Sequence, residues 1–286
     1  MIMTREEALK VAKPILFNTA MVKAIQDDLK TETRRVLKPQ PYEECIAEGH
    51  KHEFVKDSDL GGEFTGFVCR KCGCGVCAPH GKYPVGTSWI RPKYKIGDIL
   101  YVRETWQKIK YRRPAIAIPD DFKEEEYVYL ADGEICNSDG SNFKWKPSIH
   151  MPKEAARIFL RVTDVRIEHL QDITEEQAIR EGIARLFDDL PDAEYIDWTK
   201  RTGVYPKSKA DWGYKNYLWH GNFGMYGTGN KLSDTWEYQG SAYDTAIDSF
   251  SSLWNTTVPL EDWNIYGWDA NPWVGAFKFE RLEVTR

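Results

Sequence analysis

The chain has 286 residues, a formal net charge of −5 and a pI near 5.8, so it can bury a substantial core but carries no general positive field. Any contact with nucleic acid must therefore come from a local patch or from a pocket for a single nucleotide. No stretch approaches the ~18 consecutive apolar residues of a membrane span, and the N-terminal sequence MIMTREEALK is too charged for a signal peptide. We expect a cytoplasmic protein with no membrane partner.

The first predicted elements are a short strand and a helix within residues 14–35. Residues 15–17 form an apolar run typical of a buried strand, and Asn18 follows at a position suited to a helix N-cap. The helix is predicted to be amphipathic, because its apolar residues recur at positions i, i+3 and i+7: Val22, Ile25 and Leu29.

A cluster of charged and hydroxyl side chains, residues 30–35, follows this helix with the sequence KTETRR. Lys30 and Thr33 share a face if the segment holds a helical turn, and they point apart if it is a strict strand. One interpretation is a solvated, charged end of the helix. The other is a functional site, which is favoured because the hydroxyls are interleaved with charges directly after a buried strand.

Residues 43–95 differ in composition from the rest of the chain, because they are polar, rich in glycine and hold five of the six cysteines. The sequence VCRKCG has the spacing of a zinc knuckle, in which a tight turn points both thiolates at one tetrahedral ion. Closely spaced cysteines in a cytosol are more often metal ligands than disulfides. We predict a structural zinc ion with these protein ligands: His50, His52, Cys69 and Cys72. The alternative ligand set is Cys69, Cys72, Cys74 and Cys77, with His80 as a further candidate.

Three strands are predicted within residues 96–167, at residues 99–103, 127–130 and 158–167. Arg103 and Glu104 lie at the end of the first of them. An arginine and a glutamate in this position are interpreted either as a structural ion pair or as a contact to substrate.

A further helix is predicted after Thr174, which forms the pattern of a capping box with Gln177. Gly182 is suited to the position after the C-cap, where the helix ends. Glu181 then lies in the last turn, where its carboxylate meets the negative end of the helix dipole at a cost of about 0.3–1 kcal/mol if exposed. Such a broken local rule is typical of functional sites. The alternative is a surface glutamate paired with a nearby arginine.

Residues 185–240 form a second insertion, in which glycines and aromatic residues are interleaved with lysines and arginines. They are interpreted either as a stacking platform for bases or as a long loop that wraps the core. A last helix is predicted to open at Ser241, and a last strand to run from Trp273 to Val284.

Several segments carry a resemblance to a known family: FNTAMVKAIQDDLKTETRRVLKPQP, GDILYVRETW, IHMPKEAARI, VTDVRIEHLQDITEEQAIREGI and WDANPWVGAFKFERL. They resemble ASCH-domain proteins, members of the PUA-like superfamily of small β-barrels, and within them a group of phage and prophage proteins. The resemblance covers residues 14–40, roughly 96–183, and 245–284. In that group a glycine commonly stands two residues before the lysine, where this chain has Asp28.

The resemblance implies an α+β fold. We expect a single PUA-like (ASCH) β-barrel domain over residues 1–286, with flanking helices and two insertions. These insertions are the zinc-binding residues 43–95 and the aromatic and glycine-rich residues 185–240.

The resemblance also implies an activity. In the ASCH-fold amidohydrolases that remove the acetyl group of N4-acetylcytidine, the site is a lysine, a threonine three residues later and a glutamate that closes the helix after the long strand. Matching the motifs places them at Lys30, Thr33 and Glu181. We therefore predict a hydrolase of an amide-type bond in a modified nucleoside or nucleotide. Lys30 would be the base or the group that activates the nucleophile, the Thr33 hydroxyl would be activated or would position water, and Glu181 would be the proton shuttle. The residues expected to contact substrate are Arg34, Arg35, Arg103 and Glu104.

Two other hypotheses remain open. Many PUA-like domains bind nucleic acid without chemistry, and in that case Lys30, Arg34 and Arg35 would contact the phosphates and bases of single-stranded RNA or DNA, together with the aromatic insertion. The last hypothesis is an interaction protein of phage origin, located in the host cytoplasm if it is phage-encoded.

Overall fold

The computed structural model describes residues 3–38, 40–41, 49–56, 67–71, 92–110, 125–133, 144–185, 214 and 243–285. The chain combines strands and helices, so the predicted α+β class is confirmed. It divides into two compact units, the first made of Met1–Thr31, Tyr94–Val165 and Phe277–Arg286, and the second of Glu32–Lys93 and Arg166–Ala276. Because each unit is built from separated stretches, neither is a contiguous domain, and the single domain over residues 1–286 stays a prediction.

Most of the described elements are short, and the longest are two strands of 11 and 10 residues and a helix of 12 residues. The strands are β1 (Met3–Thr4), β2 (Lys13–Leu16), β3 (Glu32–Val36), β4 (Phe54–Lys56), β5 (Phe67–Cys69), β6 (Ile99–Arg103), β7 (Trp106–Lys110), β8 (Glu125–Tyr129), β9 (Phe159–His169), β10 (Trp273–Leu282) and β11 (Val284–Thr285). The helices are α1 (Arg5–Val11), α2 (Thr19–Gln26), α3 (Glu175–Arg180), α4 (Ala246–Thr257) and α5 (Trp263–Tyr266). The sheet orders are β1-β11, β2-β6-β9-β10-β3, β4-β5 and β7-β8. These orders include no closed barrel among the described strands, so the PUA-like barrel stays a prediction.

The first unit is organised around the pairing of β2, β6 and β9. Ile15 of β2 lies opposite Val102 in a parallel pair, and Leu100 lies opposite Leu160 in an antiparallel pair. All four side chains are buried, as expected of strands whose apolar residues face a core. The bounds predicted for β6 from the sequence are confirmed.

Helix α2 begins as predicted but ends earlier. The Asn18 carboxamide oxygen accepts a hydrogen bond from the Met21 N–H at 2.9 Å, so the predicted N-cap is confirmed. Val22 and Ile25 are buried, whereas Leu29 is 56% exposed, so its place in the buried stripe was wrong. The reason is that the helix ends at Gln26, and Leu29 lies beyond it.

The second unit contains α3 and α4. Thr174 and Gln177 form the predicted capping box, and Gly182 has φ 87°, the left-handed conformation that favours glycine after a helix. The predicted start of the last helix at Ser241 was wrong. Helix α4 begins at Ala246 instead, because the Thr245 hydroxyl accepts from the Asp248 N–H at 3.0 Å and supplies the N-cap.

Of the aromatic insertion, residues 185–240, the structure describes only Arg185 and Tyr214. Tyr214 forms isolated bridges with both Arg185 and Tyr243, and its side chain is buried. The Arg185 guanidinium lies 4.7 Å from the centre of the Tyr214 ring. This tyrosine is therefore part of the core of the second unit, and the proposed stacking platform otherwise lies outside the described residues.

Candidate functional site

The three predicted catalytic residues are all buried, which argues against the interpretation of residues 30–35 as a solvated end of the helix. Lys30, Thr33 and Glu181 are 3%, 1% and 3% exposed. Thr33 and Glu181 belong to the second unit, and Lys30 belongs to the first. The proximity of Lys30 to the other two stays a prediction.

The turn that carries Lys30 forms without the glycine that is common in the ASCH-like group. Asp28 takes φ 58°, the left-handed conformation that a glycine would adopt at no steric cost. The N–H groups of Leu29 and Lys30 both donate to the Ala24 carbonyl, at 2.8 and 2.9 Å, and so close the end of α2. The Lys30 Nζ lies 5.4 Å from the centre of the Phe17 ring.

Glu181 is the C-cap of α3, and its carboxylate is held by an arginine from β3. The Arg34 Nη1 donates to Glu181 Oε1 at 3.2 Å, and both side chains are buried. The alternative of a surface glutamate is therefore wrong. A permanently charged guanidinium compensates a carboxylate that the helix dipole disfavours at this end.

Arg34 also binds two other side chains of the second unit. Its Nη2 donates to Glu168 Oε1 at 2.6 Å and to Gln177 Oε1 at 2.9 Å. Its Nε has no acceptor among the residues that the structure describes. These contacts place Arg34 among protein groups, and its predicted contact to substrate stays a prediction. Arg35 is half-buried, and its Nη1 donates to the Arg34 carbonyl at 3.1 Å.

The Arg34 contacts belong to a larger network of alternating charges. Glu32 accepts from Arg166 at 3.2 Å and lies 3.6 Å from Arg180. The Arg166 Nε in turn lies 3.2 Å from the second carboxylate oxygen of Glu168. Pairing of this kind is required because an uncompensated buried charge costs several kcal/mol.

Sequence reasoning missed two carboxylates of this network, Glu32 and Glu168. A signal for Glu168 was present: Arg166 and Glu168 alternate along β9 with Val165 and Ile167, which are buried. Two opposite charges on one face of a strand whose other face is apolar indicate a partner for that face.

Thr33 is buried, and its hydroxyl has no hydrogen-bond partner within the described ranges. Since Thr33 and Arg34 are adjacent on β3, their side chains leave the strand on opposite faces. The contact between Arg34 and Glu181 therefore does not by itself bring Thr33 to Glu181. A buried hydroxyl without a partner is costly.

Among the described contacts, Arg103 and Glu104 each pair with another group and not with each other. The Arg157 guanidinium donates to both oxygens of Glu104, at 2.9 and 2.8 Å, and also binds Asp132. The Arg103 Nη2 donates to the Ile149 carbonyl. Burial raises the pKa of the Glu104 carboxyl above its ordinary value, while the hydrogen bonds from Arg157 oppose that rise. Contacts of Arg103 and Glu104 with substrate stay predictions.

Three of the four predicted metal ligands lie together. The ligand atoms of His50, His52 and Cys69 are all within 4.8 Å of one another, so this cluster could hold a metal ion. The Cys69 Sγ is 3.5 Å from His50 Nε2. A tetrahedral zinc with bonds of about 2.3 Å to sulfur and 2.0–2.1 Å to nitrogen requires a separation of about 3.5 Å. The remaining candidates, Cys72, Cys74, Cys77 and His80, lie outside the described residues.

The cluster of His50, His52 and Cys69 lies at the hairpin of β4 and β5, in which Phe54 lies opposite Cys69. The His52 ring stacks on Phe54 at 5.3 Å between centroids, and the Phe54 ring meets Trp273 edge to face at 5.0 Å. The hairpin is therefore packed against the first residue of β10.

Comparisons with known proteins give no relative from which to transfer a function. A scan against protein-family models, a search of curated proteins and a search of solved structures each find no match to this chain. Among the described helices, none is long and apolar enough to cross a membrane.

Proposed function

We propose that this protein is a hydrolase that cleaves an amide-type bond in a modified nucleoside or nucleotide, as the resemblance to the N4-acetylcytidine amidohydrolases implies. The observation that carries the proposal is the Glu181 carboxylate, which is buried at the end of α3 and fixed by Arg34 at 3.2 Å. A carboxylate in a position that the helix dipole disfavours breaks a local rule, and such positions are enriched in functional sites. The PUA-like barrel is part of the same proposal.

In the proposed reaction, water adds to the acyl carbon and the bond from that carbon to nitrogen breaks. Lys30 takes a proton from the attacking water, with the Thr33 hydroxyl in position to bind the water or the acyl oxygen. Glu181, a carboxylate before the reaction, takes this proton over from Lys30 and delivers it to the nitrogen that leaves, so both side chains return to their starting state. The products are a carboxylic acid and the free amine of the base.

The burial of Arg34 distinguishes this proposal from a nucleic-acid-binding module. An arginine that contacts phosphates must be accessible, whereas Arg34 is 1% exposed and donates to three protein side chains. A module that used Arg34 would have to break this network first.

Zinc is the metal we propose for the cluster of His50, His52 and Cys69, with Cys72 as the fourth ligand. A thiolate and imidazoles are the donor set that zinc prefers, and the 3.5 Å between sulfur and nitrogen fits a tetrahedral site. Four protein ligands leave no open position, so the ion would be structural.

The proposal is tested by incubating the purified protein with a panel of acylated nucleosides, beginning with N4-acetylcytidine, and following release of the free base or nucleoside by chromatography. We expect product from the wild type and a loss of about 10²-fold or more in Lys30→Ala. Lys10→Ala removes an exposed lysine and is the matched control. No product across the panel, together with salt-dependent binding of single-stranded RNA or DNA, would show a binding module instead.

A further inference from the structure

We propose that Arg34 is the positioning residue of the site, because it clamps both ends of helix α3 and thereby decides where the Glu181 carboxylate lies. This inference rests on the proposed hydrolase only for its effect on turnover. The clamp itself consists of hydrogen bonds from Arg34 of β3 to side chains of α3 and β9, and it does not depend on any activity.

The first part of the clamp is the pair of acceptors on α3. Gln177 and Glu181 are four residues apart, so their side chains share one face of the helix about one turn apart. One guanidinium reaches both of them, with Nη2 on Gln177 Oε1 at 2.9 Å and Nη1 on Glu181 Oε1 at 3.2 Å. Arg34 therefore binds the helix near its start and at its end.

Gln177 connects this contact to the start of the helix. Its Oε1 also accepts from the Thr174 N–H at 3.0 Å, and its own N–H donates to the Thr174 hydroxyl at 3.3 Å. The capping box that begins α3 and the arginine that holds its end thus meet at one oxygen atom. A shift of α3 along its axis would break both sets of hydrogen bonds.

Arg34 is itself held from a third element. Glu168 of β9 accepts from Nη2 at 2.6 Å, and the other oxygen of Glu168 is bound by Arg166 at 3.2 Å. Three acceptors from two elements fix the plane of the guanidinium. A lysine offers a compact point charge without the planar fork, so it cannot reproduce these contacts.

The need for this clamp follows from the position of Glu181. Its carboxylate stands at the negative end of α3 and is removed from water, and both effects disfavour a charge there. Without Arg34, the carboxylate gains by turning towards solvent. We therefore expect that Arg34 determines the rate of proton transfer without touching substrate.

The first test measures turnover of N4-acetylcytidine in Arg34→Lys and Arg34→Ala. We expect kcat to fall by about 10²-fold with KM nearly unchanged, because the proton-transferring group is misplaced while substrate binding persists. Guanidinium ion at concentrations below those that denature should restore part of the rate in Arg34→Ala and none in Arg34→Lys. Arg161→Gln is the control, since Arg161 is a half-exposed arginine of β9 paired with Glu280. A rise in KM alone would show that Arg34 binds substrate, and would overturn the proposal.

The second test does not depend on any activity. Thermal unfolding midpoints are measured for Arg34→Gln, Glu181→Gln and the double variant. The clamp predicts that the double variant loses clearly less than the sum of the two single losses, because each single change already breaks the shared contact. Additive losses would overturn the clamp whatever the turnover data show. Non-additive losses in a protein that turns over none of the nucleosides would retain the clamp and remove the proposed function. If Arg34→Gln does not fold, Arg34→Lys replaces it in the cycle.

Discussion

Arg34 and Glu181 lie 147 residues apart in the sequence, and their side chains meet at 3.2 Å in a buried ion pair. The pair joins β3, which holds most of the KTETRR cluster, to the end of α3. It therefore links two segments that the sequence singled out for separate reasons, one for its charges and one for a carboxylate at the negative end of a helix dipole.

Removal of the Glu181 charge should destabilise the protein, although the helix dipole alone predicts the opposite. In Glu181→Gln the Arg34 guanidinium loses a charged partner in a buried site, so we expect the free energy of unfolding to fall by about 1–3 kcal/mol. Glu176→Gln, on the exposed side of the same helix, is the control and should change little. Urea denaturation of both variants decides the point, and a more stable Glu181→Gln would mean that the ion pair contributes nothing.

Asp28 holds the turn before Lys30 in a conformation that costs free energy. With φ at 58°, a side chain without local hydrogen-bonding ability is strained there, so Asp28→Ala should be less stable than Asp28→Gly by about 1 kcal/mol. Asp28→Asn serves as the control, because asparagine tolerates this region and only the weak, exposed ion pair with Arg281 is lost. Equal urea midpoints for the alanine and glycine variants would contradict the left-handed turn.

Glu104 gives the first unit a characteristic dependence on pH. Burial raises the pKa of the Glu104 carboxyl. At a pH between the unfolded and the folded pKa, the folded state therefore keeps a proton that the unfolded state has released. Its contribution to stability is therefore complete below the unfolded pKa of about 4.3 and is lost as pH rises through the higher folded pKa. The difference in unfolding free energy between the wild type and Glu104→Gln should decrease as pH rises across this window. An increase would show that Arg157 outweighs burial and lowers the pKa.

Metal analysis tests the cluster on the β4–β5 hairpin. Protein purified without chelator should contain about one zinc per chain, and Cys69→Ser and Cys72→Ser should both lose it. Retention of zinc in Cys74→Ser and Cys77→Ser would favour the mixed histidine and cysteine set over the four cysteines. Absence of zinc from the wild type would contradict the proposed zinc site.

Local rules in the sequence were sufficient for the starts of α2 and α3, for the end of α3 and for part of the cluster of candidate metal ligands. Asn18, Thr174 and Gly182 act where predicted, because capping depends on side chains within three or four residues of the helix end. The grouping of His50, His52 and Cys69 was predicted in the same way, since ligand spacing along the chain reflects a short hairpin.

The charge network could not be predicted, because its partners are distant in sequence. Glu32 and Arg34 look like ordinary surface charges in a sequence, and only pairing between β3, β9 and α3 makes them buried. The prediction for the start of α4 was wrong for a different reason. Ser241 and Thr245 both fit the pattern of a cap, and only the pairing of Tyr243 with the distant Tyr214 shows that the helix begins after Tyr243.

The most direct test of the account is kcat/KM for release of cytidine from N4-acetylcytidine, compared between the wild type and Glu181→Gln at a temperature where both are folded. The account predicts measurable turnover by the wild type and a fall of about 10²-fold or more in Glu181→Gln, because the group that protonates the leaving nitrogen is gone. Wild-type turnover that survives in Glu181→Gln would contradict the assignment of Glu181 as the proton shuttle.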